Sequence, residues 1–347
     1  MLRICISSDQ HWSQYSSILR KQGKRYSIRL ENLLRSVNWV ENLAKENNCQ
    51  MSFYLGDFFD RPELNSQEIT ALSDIEWFEN KKYFLVGNHE SNVMDLNFSS
   101  TKVFDNINAE IVNKVIKVPA NDLVDMYFIP YVSSESKVLY LKDFIDLNDK
   151  RKIVLSHNDI SGLRYGKFIS QSGFDVKDIE KNCTLFVNGH LHNSQIVGQN
   201  IVLVGNLTGQ NFGEDAFTYE HLAYIMEIDD SGKISLIPRI NPYAFNFYKI
   251  YINSSDDIFK LYGLKNNSVL SIICEASLIG DVSESLKSLS NVIDYRLISQ
   301  YLKSRNNDEN SFEFKSMDYI QQFIEYVQTK IEPSEILNEE LANLSNS

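Results

Sequence analysis

Five of the six histidines in this 347-residue chain fall in short motifs, each placed directly after a brief apolar run. In chain order the motifs are Asp9-Gln10-His11, Gly56-Asp57-Phe58-Phe59-Asp60, Gly87-Asn88-His89-Glu90, Ser156-His157-Asn158-Asp159 and Gly189-His190-Leu191-His192. The runs before them, at 2–8, 51–55, 83–86, 152–155 and 184–187, read as buried strands. Open α/β sheets hold their sites at the carboxyl ends of their strands. A chain of this kind is therefore constrained to bring five strand ends to one place.

Between the first two strands, Leu30, Leu33, Leu34, Val37, Val40, Leu43 and Ala44 share one helical face over 27–48, with Ser27 as N-cap. Residues 66–79 read as a second helix. This rhythm packs helices on a sheet. Beyond Ile107 the strands come closer, at 110–118 and 124–129. Two hairpins follow, turning at Gly198-Gln199-Asn200 and at Asp230-Ser231-Gly232. The expected fold is mixed α/β, a β-sandwich flanked by helices, over 1–242. A small α/β module is expected at 243–303, with strands at 247–252, 268–274 and 292–297 and helices at 255–261 and 282–289. A polar linker spans 304–315, and 316–347 reads as helical. Tyr319, Phe323, Tyr326 and Val327 make an apolar stripe there, which either docks on a partner or folds back on its own domain.

The side chains in the motifs specify a chemistry. Asp9 and His11 stand two apart, and the strand period turns both to one side. Asp57 follows a glycine, and its carboxylate can bridge two cations. Asn88 offers a neutral oxygen; His157, His190 and His192 offer imidazoles. Mixed nitrogen and oxygen donors without thiolate suit manganese, iron or zinc. Two ions about 3.5–4 Å apart are the standard device for displacement at phosphate esters. A lone His or Asp is ordinarily a satisfied polar group, but five such motifs in strand context are not. His221 does stand alone and reads as structural or surface. His89 either buttresses Asn88 or acts beside the ions, stabilising phosphorane charge or protonating the leaving oxygen.

Four cysteines lie singly in apolar segments without a CxxC pair, which argues against a thiolate zinc site and points to a reducing compartment. There is no P-loop. The first strand leaves no room for a signal peptide, and no apolar run reaches spanning length. The net charge of -12 is unusual for a nucleic-acid binder. One basic cluster stands out, Arg20, Lys21, Lys24, Arg25 and Arg29 around Tyr26. It reads either as a phosphate-contacting patch or as a solvated face.

In this order, D-x-H, GDxxD, GNHE, a lone H and GHxH resemble the calcineurin-like metallophosphoesterase superfamily over residues 9–192. Within it, length and layout look like the SbcD-type nucleases, a group that includes the recombination endonuclease of T-even-type phages. The resemblance implies one metal held by Asp9, His11, Asp57 and His192, and a second by Asp57, Asn88, His157 and His190. Mn2+ is the implied ion, with a metal-bridging hydroxide as nucleophile and His89 as the catalytic histidine. It also implies DNA as substrate, a DNA-capping role for 243–303, and docking of 316–347 on an SMC-like coiled-coil ATPase of the SbcC type. A homodimer is expected through 66–79 (Ile69, Leu72, Ile75, Trp77, Phe78) and the segment after His89 (Val93, Met94, Leu96, Phe98). The expected location is cytoplasmic, in the host if the chain is phage-encoded. Three departures stand out. Ser13 replaces a glycine, and Asp60 stands where some members have histidine. The stretch 205–209, with Gly213 and Glu214 after it, differs from the family's Gly-Ser/Thr-Pro-type loop. The balance of exonuclease and endonuclease action stays open. The alternatives are a phosphomonoesterase or cyclic-nucleotide phosphodiesterase, which usually lack the appended module and tail, and a scaffold with a degenerate site, against which the full ligand set stands.

Overall fold

Four parallel strands, Leu2–Ser7, Met51–Tyr54, Lys81–Leu85 and Ala109–Val112, form most of one sheet. Leu222–Ile228 and Ile234–Ile240 extend it antiparallel beyond Leu2–Ser7. A second sheet has Val124–Ile129, Arg151–Ser156, Leu185–Asn188 and Ile201–Leu203 in parallel, with antiparallel edges Ile116–Pro119 and Gln195–Val197. The computed structural model describes residues 1–19, 21–92, 95–133, 137–165 and 168–299.

Strand alternation explains the layering. Ile4, Ile6, Phe53 and Leu85 on one sheet pack against Met126, Phe128, Ile153 and Leu155 on the other, making a dry sandwich core. The opposite faces are apolar too. Cys5 and Tyr54 pack under Leu30, Leu33 and Val37 of the helix Ile28–Glu46. On the second sheet, Val154 and Phe186 meet Ile179 of the helix Val176–Asn182. Mixed α/β sheets flanked by helices are thus the architecture. The strand ends are level: Ser7 pairs with Tyr54, Tyr54 with Phe84, and Ser156 with both Ile129 and Asn188.

The Ser27 cap is present, its side chain accepting from Leu30 N. Two expected elements differ. The helix over 66–79 ends early, as Ser66–Leu72. Beyond it, backbone N–H groups are taken by side chains of the first helix: Asn38 Oδ1 accepts from Glu76 N at 2.9 Å and Glu41 Oε2 from Phe78 N at 2.8 Å. Ile75, Trp77 and Phe78 then pack into the chain's own core, so they are not the spare apolar surface expected for a dimer. The single strand over 110–118 is two, Ala109–Val112 and Ile116–Pro119, and the turn between them carries the chain from one sheet to the other.

Asn246–Ile252, Ser268–Cys274 and Val292–Ser299 form a separate three-stranded sheet, covered by Ser255–Leu261 and the helix Ile279–Lys287. Residues 1–297 make one compact unit. The expected linker and helical segment, with Tyr319, Phe323, Tyr326 and Val327, lie outside the described residues, as do Arg20, Val93 and Met94. Among the described residues, no helix is long and apolar enough to cross a membrane.

Candidate metal centre

Each motif begins within a few residues of the carboxyl end of a parallel strand, and the loops run against one another. Asp9 N donates to Gly56 O at 3.1 Å and His11 N to Asp57 O at 2.9 Å. Asp9, His11, Asp57 and His190 all have left-handed backbones, with φ of 53, 48, 50 and 69°. Such values are uncommon outside glycine but best tolerated by Asn, Asp and His, and they cluster where surrounding structure enforces them. The strand ends at Ser7. It is this turn, and not strand alternation, that aims Asp9 and His11 together. Arg29 supports it, donating from Nη2 to His11 O at 3.1 Å. The motif glycines allow close approach: a Cβ on Gly87 would strike the Asp57 carboxylate, and one on Gly56 the His157 ring.

The result is a chain of ligand-type atoms. Asp9, His11 and His192 form one group and Asp57, His157 and His190 another; His11, Asp57 and His89 lie between. His11 Nε2 and His192 Nε2 face each other at 3.1 Å. Asp57 Oδ2 lies 3.9 Å from His11 Nε2 and 3.1 Å from His157 Nε2, between the two groups. Asp9 Oδ1 and Asn88 Oδ1 are buried without a hydrogen-bond partner. Polar atoms left this way in an interior call for an ion or water. The donor set, the orphaned atoms and the central carboxylate all fit two divalent metal ions.

Hydrogen bonds behind the rings fix which nitrogen faces inward. His157 Nδ1 donates to Leu55 O at 2.6 Å, His11 Nδ1 meets Asp60 Oδ1 at 3.2 Å, and His192 Nδ1 meets Glu214 Oε1 at 3.2 Å. His190 has Nε2 3.3 Å from Asp159 Oδ1, leaving Nδ1 as the nitrogen without a carboxylate. Ser8 Oγ and His190 N both donate to Asp9 Oδ2. His89 is exposed; its Nδ1–H donates to Asp60 O at 3.2 Å, and its ring stands edge-on to His11 at 4.7 Å.

Charge coupling is strong. Burial works against ionising Asp57, but the adjacent His157 overrides this and holds its carboxyl far below the usual range. Burial would lower His157, yet the Asp57 charge lifts it to about 10. Burial lowers His11 despite Asp60; burial also works against protonating His192, but the Glu214 hydrogen bond together with the charges of Asp9, Glu214 and Asp57 raises it.

Sequence reasoning missed the backing carboxylates Asp159 and Glu214. Asp159 was visible at the end of its motif. Glu214 comes 22 residues after His192 on a loop, with no spacing to mark it. His221 is buried, Nδ1 on Asn206, in a structural role. The basic cluster is largely committed. Lys21 pairs with Asp294 at 3.1 Å and Arg25 with Asp74 at 2.8 Å. Arg29 does not belong to that surface at all, being buried under His11. Lys24 is exposed and makes no ion pair among the described residues.

The family model for calcineurin-like phosphoesterases matches residues 2–194. The chain belongs to this family. It is a metal-dependent phosphoesterase, and all the clustered ligand atoms fall within the matched span. Among solved structures, this phosphoesterase is similar to a dimetal phosphatase from Danio rerio, at 10% identity and TM-score 0.43, over 69% of this chain and 96% of that one. It is also similar to a glutamine-dependent NAD+ synthetase from Acinetobacter baumannii, at 12% identity and TM-score 0.33, over 99% of this chain and 72% of that one. Neither likeness is close enough to bear on activity. No curated protein matches the chain.

Proposed function

We propose that this phosphoesterase is a Mn2+-dependent DNA nuclease, the catalytic subunit of an SbcCD-type recombination and repair complex. The observation that carries the reading is how the three-stranded module is seated. Phe245, Phe247 and Val269 of the module join Ile18 and Leu19, just after the first motif, and Phe212, on the loop that carries Glu214. Arg296 of the module lies over the Phe212 ring at 4.4 Å. The module thus braces two loops that serve the metal centre, an arrangement suited to a substrate larger than a small ester.

When bound, the two ions supply charge neutralisation at the phosphoryl oxygens and at the attacking and leaving oxygens. Asp9, His11, Asp57 and His192 would hold one ion, and Asp57, Asn88, His157 and His190 the other. Ser8 and the His190 amide keep Asp9 oriented, and Asp60 and Glu214 keep two imidazoles oriented. His89, held through Nδ1–H on Asp60 O, would give a proton from its other ring nitrogen to the leaving oxygen.

The SMC-like ATPase partner, bound by 316–347, belongs to this reading. So does a homodimer, now through a smaller face with Ile69 and Val103 exposed. A second reading, a phosphomonoesterase or cyclic-nucleotide phosphodiesterase, is favoured by the commitment of Lys21, Arg25 and Arg29 to internal partners. Hydrolysis of linear DNA against small phosphate esters, measured with Mn2+, decides between them. Esters cleaved while DNA is left intact would overturn the nuclease reading. Deleting the chain after Asn310 should keep single-strand cleavage and abolish co-purification with the ATPase.

A further inference from the structure

We infer that Tyr15 is a stacking platform for the nucleobase next to the scissile phosphate. The inference rests on the nuclease reading and deepens it.

An exposed tyrosine on a loop is commonplace. This one has a rigidly built underside. Arg61 Cζ lies 4.8 Å from the Tyr15 ring centroid. That guanidinium is fixed on its other edges: Nη2 donates to Glu68 Oε1 and Oε2 at 2.9 and 2.7 Å, and Nη1 to Ser13 Oγ at 3.1 Å. Glu68 is wholly buried. It also accepts from the backbone of Gln14 at 2.8 Å and of Asn65 at 3.1 Å, so its charge is fully partnered. The Ser13 hydroxyl accepts from Tyr15 N at 3.1 Å, and Trp12 Nε1 donates to Glu68 O at 3.1 Å. A buried carboxylate thus anchors a guanidinium, which carries an aromatic ring whose residue remains 60% exposed.

The platform is joined through the chain to the metal centre. Tyr15 lies four residues beyond His11, on the same loop. Arg61 follows Asp60, whose carboxylate meets His11 Nδ1 and whose carbonyl accepts from His89 Nδ1. Both segments of this scaffold therefore begin on groups that belong to the ligand set or touch it and the exposed histidine. A planar ring sandwiched against an arginine suits one ligand chemistry, the face of a nucleobase, through stacking with a cationic contribution. A flanking base held there would fix the sugar–phosphate link over the metals without reading sequence, because every base has a π-face.

The test compares wild type with Tyr15→Ala and Tyr15→Trp, each full-length and loaded with Mn2+. Two single-stranded oligonucleotides are used, with one cleavable linkage left between phosphorothioates. One is intact; the other is abasic on both sides of that linkage. Tyr15→Ala should raise KM on the intact strand roughly tenfold, the scale of one stacked base. Tyr15→Trp should keep the wild-type KM. On the abasic strand, wild type and Tyr15→Ala should converge. An unchanged KM on the intact strand overturns the inference and leaves the nuclease reading standing. So does an equal rise on both strands, which would make the ring a structural prop. If wild type cleaves neither strand but hydrolyses small esters, the nuclease reading fails and takes the inference with it.

Discussion

Replacing Asp60 by Asn tests how the protein supports its metals. Asp60 Oδ1 lies 3.2 Å from His11 Nδ1, and the His11 ring is buried. The carboxylate fixes the tautomer and makes Nε2 a better donor. Losing such a partner typically costs about 10–100-fold in metal affinity. Asn keeps a neutral acceptor, and the Asp60 side chain is 33% exposed, so solvent already screens part of its charge. The expected loss is therefore near the low end, about tenfold or ~1.4 kcal/mol. Glu214 does the same for His192 but is only 8% exposed, so Glu214→Gln should cost more, toward about 100-fold. Both losses should fall on the same ion, the one shared by His11 and His192. Mn2+ titration followed by electron paramagnetic resonance should then show one weakened and one unchanged site in each variant. If both sites weaken equally, or the ion beside His157 is the one lost, the division of the site drawn here is wrong.

His89→Ser should abolish hydrolysis while both ions stay bound. Loss of an ion by elemental analysis would instead make His89 a ligand, as its position between the groups permits. Asp57→Asn should weaken both sites together, because its carboxylate lies between them; a loss confined to one ion would contradict the bridge. In the metal-free protein, His157 is raised to about 10 by Asp57, so its stabilisation is complete below the unfolded value of about 6.5 and is lost as pH rises through 10. The melting temperature in chelator should fall between those values, and a flat or rising profile would refute the coupling. Single-stranded DNA should bind with a shallow salt slope, because Lys21, Arg25 and Arg29 are committed internally; a slope steeper than about −3, on the order of four or more phosphate contacts, would mean a basic surface elsewhere.

The site was legible in the sequence for a reason that also explains where the reading misled. Asp, Asn and His ligate metals, and they are also the side chains that best tolerate a left-handed backbone. Residue types and strand ends therefore marked the loops correctly, while the geometry within them, a left-handed turn at Asp9 and His11, left no periodic trace. Glycines helped because each faces a ligand of another motif: Gly87 against Asp57, Gly56 against His157. What failed were features set by distant partners. Apolar spacing over 66–79 could not show that Asn38 and Glu41 intercept the backbone after Leu72. Charge counting around Tyr26 could not show Asp74 and Asp294 waiting across the fold. The same logic locates the missing cations of a phosphoesterase with a net charge of -12. The carboxylates Asp9, Asp57, Asp60, Asp159 and Glu214 gather around the ligand groups, and two divalent ions offset most of that charge. The ions themselves would then be the principal positive charge a phosphate ester meets at the site. On the nuclease reading proposed above, affinity for the rest of a DNA strand would come from contacts that do not depend on net charge, a role that the arginine-backed Tyr15 ring can fill.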